Sequence, residues 1–198
     1  MFSKVRGDFR SNLSENFQPS FRTFIDQKYN HHFSPEEIFG YIYAILHAPT
    51  YRAVFAEFLR LDFPRIPFVE TKAEFEALSA LGWDLAQKHL VKEVPKLGLG
   101  AFIGKGDYTV EKPAYSEVEQ MVTINKTQFF KTVPRDVWEF HIGGYQVIDK
   151  YLKSRKGRTL TLDEIENVTN ICNVLQFTII RMGEIDALYQ KAFPDHRQ

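Results

Sequence analysis

The chain has 198 residues, 44% hydrophobic and 15% aromatic with 18 Phe, and its 25 basic side chains balance 25 acidic ones. This is enough apolar material for the core of one domain, or one domain with an extension, and it excludes a disordered chain. Zero net charge excludes a domain-wide basic field, so any nucleic-acid footprint must be local, and a single cysteine, Cys172, excludes an internal disulfide and a cysteine-based metal cluster.

Residues 1–33 mix charges and Phe without a sustained period. Short helices are expected over 12–17 and 21–26, in an arm that packs its Phe residues elsewhere. The residues from Met1 to Asp8 lack the apolar run of a signal peptide, and no window approaches the ~18 apolar residues of a membrane span. A cytoplasmic location without a membrane partner is expected.

Ser34, Pro35 and Glu37 give an N-cap, a first-turn proline and a capping box. Ile38, Tyr41, Ile42, Ile45 and Leu46 continue as a helical stripe. After the break at His47–Thr50, the residues Tyr51, Val54, Phe55, Phe58 and Leu59 mark a second helix, so the pair predicts a helical hairpin. Pro64 and Pro67 force an extended segment. Thr71 and Glu74 form another capping box, opening a third helix to about residue 91. The stretch 92–115 is rich in Gly and Pro and is expected to be irregular. Val118–Asn125 and Thr127–Val133 read as strands joined by a turn at Asn125-Lys126, and the alternation over Val137–Ile142 predicts a third strand. Gly143-Gly144 then turns the chain sharply into a helix that starts at Tyr145. Thr161 and Glu164 form a third capping box, and the recurring Ile165, Val168, Cys172, Leu175, Ile179, Met182, Ile185 and Leu188 predict one helix over about 162–190. The fold class is α+β: an N-terminal helical hairpin with a third helix, a small, mostly antiparallel sheet and a long C-terminal helix.

Several catalytic readings fail on spacing. In Gly98–Gly106 the glycine that a phosphate loop needs is Leu99, and Gly106 follows Lys105 where Ser or Thr would hold magnesium. Asp62 with Glu70-Thr71-Lys72 mimics a magnesium nuclease motif, but Thr71 is better used as a helix cap. Six scattered His residues offer no metal-ligand spacing, and His141 reads as a partly buried strand residue. No catalytic residue, metal or cofactor is expected, and the chain is not expected to be an enzyme.

From Gln146 to Arg158 five basic residues, Lys150, Lys153, Arg155, Lys156 and Arg158, meet one acid, Asp149, for a local charge of +4. By composition this run is either an exposed, solvated helix end or a phosphate-contact patch. Arg52, Arg60 and Arg65 form a weaker second group, which could instead fix the turn at Asp62. Lys126, Gln128 and Arg135 fall on the expected hairpin, where Arg can read guanine and Gln adenine.

The segment VWEFHIGGYQV at 137–147, with the basic run after it, resembles the C-terminal specificity domain of Type ISP restriction–modification enzymes. YIYAILHAPTYR at 41–52, FLRLDFPRIPF at 58–68 and FEALSALGWDLAQKHL at 75–90 resemble that family's helical junction between methyltransferase and specificity domains. The resemblance covers roughly 36–90 and 118–187. It implies residues 1–33 as a junction with a methyltransferase module and 34–198 as the specificity domain, with a helical part at 34–91 and the sheet and C-terminal helices at 115–190. It also implies double-stranded DNA as a partner, and methyltransferase and translocase modules in cis or in trans. It tips the basic run towards phosphate contact. The competing reading is a helical adaptor that docks a DNA methyltransferase without touching bases.

Overall fold

A computed structural model describes residues 15–91 and 93–196. The molecule has two cores spanned by one helix. The helical core is built from α1 (Pro19–Tyr29), α2 (Pro35–His47), α3 (Pro49–Val54), α4 (Ala56–Leu61) and α5 (Lys72–His89). Capping boxes at Ser34/Glu37 and Thr71/Glu74 open α2 and α5. Pro49 occupies the first turn of α3, and the helix expected beyond it breaks into α3 and α4 at Phe55. The N-terminal segment departs from the expected pair of short helices: α1 is one helix, and the 12–17 reading lies partly outside the described residues. α1 also buries Ile25 and Tyr29 in the same core as α2 and α5.

Helices α2 and α5 approach closely because glycines meet at their crossing: a Cβ on Gly82 would lie 1.9 Å from the Gly40 carbonyl oxygen. The core beside the crossing is aromatic. Phe75 stacks on Tyr41 at 4.3 Å and on Phe33 at 4.2 Å. The doubly prolyl segment after α4 has no sheet partner, and tyrosine hydroxyls satisfy its carbonyls. Tyr41 donates to Pro67 O (2.7 Å), Tyr51 to Arg65 O (3.0 Å) and Tyr29 to Val69 O (2.7 Å). Burial raises all three phenols above the usual tyrosine range, so they remain donors.

The second core lies under a four-stranded antiparallel sheet of order β1-β4-β3-β2, with β1 at Ala101–Ile103, β2 at Ala114–Ser116, β3 at Met121–Thr123 and β4 at Phe129–Lys131. Val122 opposes Phe130, and both are fully buried. The stretch 92–115, expected to be irregular, therefore supplies two strands. The expected strand at 137–142 is mostly absent. Pro134 precedes a single helical turn, α6 (Arg135–Trp138), which drops Val137 into the core, and only His141–Ile142 pair as β5, with β6 (Tyr145–Gln146). α7 (Val147–Lys153) follows.

The last helix, α8 (Leu162–Ala192), opens on the third capping box, Thr161/Glu164. At 31 residues it is about 46 Å long. Ile165, Val168, Cys172 and Leu175 enter the sheet core, while Ile185 and Tyr189 enter the helical core. Among the described residues no helix is long and apolar enough to cross a membrane.

Candidate nucleic-acid interface

α7 turns Ile148 and Leu152 inward, which leaves Lys150 and Lys153 exposed on its outer face. Before it, Gly143 (φ +56°) and Gly144 (φ +84°) form the two-residue turn of the β5–β6 hairpin. Both positive φ values suit a type I′ turn, which a β-branched residue would strain. The glycines thus close a hairpin, and α7 starts at Val147, not at Tyr145. His141, expected to be partly buried, is exposed on this hairpin, as are Ile142 and Tyr145. Lys150 Nζ lies 4.7 Å over the Tyr145 ring.

The basic run divides into satisfied and free cations. Lys153 pairs with Asp149 at 2.7 Å. Arg155, expected to be exposed, folds back. Its guanidinium sits 3.5 Å over the Tyr151 ring, bonds Tyr151 O and pairs with Glu164 Oε1 at 2.9 Å. Arg158 reaches the same oxygen at 2.7 Å. Glu164 also accepts the Thr161 amide that closes the cap. The Thr161 backbone contact, then Arg158 and Arg155, hold its carboxyl down at about 2. Lys156 is exposed and has no ion pair among the described residues. Just beyond it, Gly157 N donates to Val110 O (2.8 Å) and Val110 N to Arg158 O (2.9 Å), tying the loop to the β1–β2 connection.

The other candidates do not converge on this run. Gln128, expected to reach base edges, is fully buried: Ile124 N pairs with its carbonyl and turns the side chain inward. Its Oε1 accepts from Tyr108 N and Asn125 Nδ2, both at 2.9 Å. Arg135 is on α6, not on a hairpin, and is shared by Glu117 and Glu139 at 2.9 Å each. Lys126 is exposed on the β3–β4 loop, where the Asn125 carboxamide accepts from the Thr127 and Gln128 amides. Arg60 pairs with Glu57, and Arg65 lies 4.9 Å over Phe58 and 4.0 Å from Asp62. Arg52 is exposed beside the cleft described next. Thr71 serves its helix cap, Lys72 pairs with Glu76 and Glu70 with Lys28. Among the described residues no group of three His, Cys, Asp or Glu could hold a metal ion.

Sequence reasoning missed a cleft of about 940 Å³ between the two cores. Ile171, Val174, Ile179 and Met182 of α8 line it, with His47 and His89 from the helical half and Glu139 and His141 from the sheet half. Thr178 Oγ1 donates to Val174 O, so it accepts from His89 Nε2 (2.8 Å). His89 Nδ1 lies 2.6 Å from the Tyr43 hydroxyl on its other side. Burial lowers the pKa of His47 and His89 alike. Sequence reasoning also missed Asn173, a buried amide inside the apolar stripe of α8. Its Oδ1 accepts from Leu97 N and Leu99 N, and its Nδ2 donates to Leu99 O and Thr169 O. An amide within an otherwise apolar stripe was the available signal.

No curated protein matches the chain. Three solved structures share its fold at 21% identity. A cryoEM structure of a DrdV–DNA complex superposes with a TM-score of 0.63 over 85% of this chain and 19% of that one. The Type ISP restriction-modification enzyme LlaBIII bound to DNA gives 0.58 over 84% and 12%. A nuclease-deletion mutant of the Type ISP enzyme LlaGI, in complex with a DNA substrate mimic, gives 0.56 over 79% and 14%. The chain therefore corresponds to less than a fifth of each of these proteins. The family profile described as the Type ISP C-terminal specificity domain matches residues 3–183, nearly the full length, and the chain belongs to that family.

Proposed function

We propose that this chain is a DNA target-recognition module of a Type ISP-like restriction–modification enzyme, with residues 34–198 as the specificity domain and 1–33 as the junction with a methyltransferase module. Methyl transfer, translocation and cleavage belong to other modules, in cis or in trans. Double-stranded DNA is the partner, and the cytoplasm is where it would be met. The observation that carries the reading is the pair of exposed lysines without an ion pair among the described residues, Lys150 on α7 and Lys156 in the loop after it, on a fold shared with proteins solved in DNA complexes. Such cations neutralise phosphates and fix register, whereas base edges supply sequence preference.

The test is fluorescence anisotropy on a labelled duplex between about 50 and 200 mM salt. The parent chain should bind weakly, with affinity falling steeply as salt rises. Lys150→Glu combined with Lys156→Glu should weaken binding about tenfold or more at the low-salt end and leave the melting temperature nearly unchanged, since both side chains are exposed. A double variant that binds like the parent would overturn the assignment. The adaptor reading is favoured by one feature, the apolar cleft between the cores, and salt-independent behaviour without DNA binding would support it.

A further inference from the structure

A second cationic surface lies at one end of the sheet, where three chain segments are pinned together. β1 leaves the sheet at Ile103, and residues 104–113 cross its end before β2 begins. The β3–β4 loop projects at the same end. Thr127 Oγ1 donates to Lys105 O (3.1 Å), and Lys112 N donates to Ile124 O (3.2 Å). The loop after α7 joins them through Gly157 N to Val110 O and through the Thr109–Thr159 bridge. Lys105, Lys112, Lys126 and Lys156 are all exposed there, and none has an ion pair among the described residues. This contrasts with Lys153, Arg155 and Arg158, which are neutralised by Asp149 and Glu164. The acids nearby are Asp107, whose carboxylate is engaged by the Thr109 amide, and the exposed Glu111.

Against the glycine loop beside Lys105 is a buried donor. Gln128 spends its Oε1 on Tyr108 and Asn125, but its Nε2 is buried without an acceptor among the described residues. The carboxamide lies against Gly106, where a Cβ would come within 3.4 Å of Nε2. Buried amide donors are nearly always paired, so this one calls for an oxygen delivered at the glycine loop.

We propose that this tip is a clamp for the phosphate backbone of duplex DNA, in which Lys105, Lys112, Lys126 and Lys156 contact phosphates and Gln128 is the positioning residue that ties the β3–β4 loop to the 104–113 crossing and senses the bound anion. The proposal rests on the DNA-recognition reading and extends it to a surface outside α7. Lysine is a point charge on a flexible stem, so the clamp adds affinity and register, not base preference.

The experiment uses the full chain, ¹⁵N-labelled, with a duplex oligonucleotide. Lys105→Ala combined with Lys126→Ala should reduce the slope of log affinity against log salt by about 2, one for each phosphate no longer neutralised. Lys191→Ala, at the opposite end of α8 from the loop that joins the tip, should leave the slope unchanged. The Gln128 side-chain amide resonances should shift on adding duplex to the parent and stay still in the double variant. Parent binding with an unchanged slope in the double variant, or with an unmoved Gln128 amide, overturns the clamp and leaves the DNA-recognition reading standing. A parent that shows no salt-dependent binding overturns both.

Discussion

The two halves of the molecule solve the problem of buried polar groups differently. In the helical half, local capping boxes close the starts of α2 and α5, and tyrosine hydroxyls reach the carbonyls of the proline-rich segment. In the sheet half the strands are only three residues long, and carboxamides take over. Asn173 clasps the 97–99 segment to α8, while Gln128 and Asn125 tie the β3–β4 loop to the 104–113 crossing. Aromatic packing tolerates small shifts of its partners, whereas a four-bonded buried amide does not. The sheet half should therefore depend more on single polar atoms, and the helical half on single large rings.

Truncating the helical core at its centre tests this most severely. Phe75→Ala removes a fully buried ring that meets Tyr29, Phe33 and Tyr41 and should cost about 4 kcal/mol in urea-unfolding stability. A loss below about 1 kcal/mol would mean that the aromatic cluster repacks. In the sheet half, Asn173→Leu keeps the branched heavy-atom skeleton but leaves the amides of Leu97 and Leu99 and the Leu99 carbonyl without partners, for about 3 kcal/mol. Hydrogen exchange should accelerate at Leu97 and Leu99 before it does in α2 or α5. Uniform loss of protection would argue against a local clasp.

Acid should separate the halves with smaller effects. His47 and His89 have their pKa lowered by burial, and His89 also by the nearby His47. The unfolded chain then binds more protons than the folded one, so this contribution is complete above pH 6.5 and is lost as pH falls through it. Glu164 is held near 2 against an ordinary 4.5, so its contribution is complete above pH 4.5 and is lost only on the way down to about 2. Urea midpoints measured from pH 8 to pH 3 should fall in two stages. Paired replacement of both histidines by Gln should flatten the upper stage, and Glu164→Gln the lower. A single transition unaffected by either variant would refute the assignment.

Legibility followed the same division. Each capping box is a residue pair three apart, so all three were readable from sequence, as was the long stripe of α8. The sheet half is made by contacts far apart in sequence. Val137 to Phe140 alternates like a strand, yet four residues of alternation also fit one helical turn, and Pro134 sets that turn. The +4 run was visible as charge, but its pairing was not. Glu164 takes Arg155 and Arg158 from nine and six residues away, across a loop that no local periodicity describes. Gln128 has the right chemistry for a base edge but sits at a strand start that turns it inward, which only the register of Ile124 with Gln128 decides. Lys105 stood in plain view between two glycines. Nucleotide-binding spacing, which the segment lacks, bears only on a phosphate loop and not on other uses of an exposed lysine.

The sharing of α8 by both cores sets where the chain can be cut. Ile165 to Leu175 face one interior and Ile185 to Tyr189 the other, so neither half owns the helix. The family match ends at 183, yet Ile185 and Tyr189 beyond it are fully buried, and Asp186 accepts from the Thr50 amide at 2.7 Å, in the first turn of α3. A fragment trimmed to the family boundary would open the helical interior and strip α3 of its anionic cap. Grafting this specificity module onto another scaffold therefore needs the chain through residue 192, with the seam placed outside both interiors.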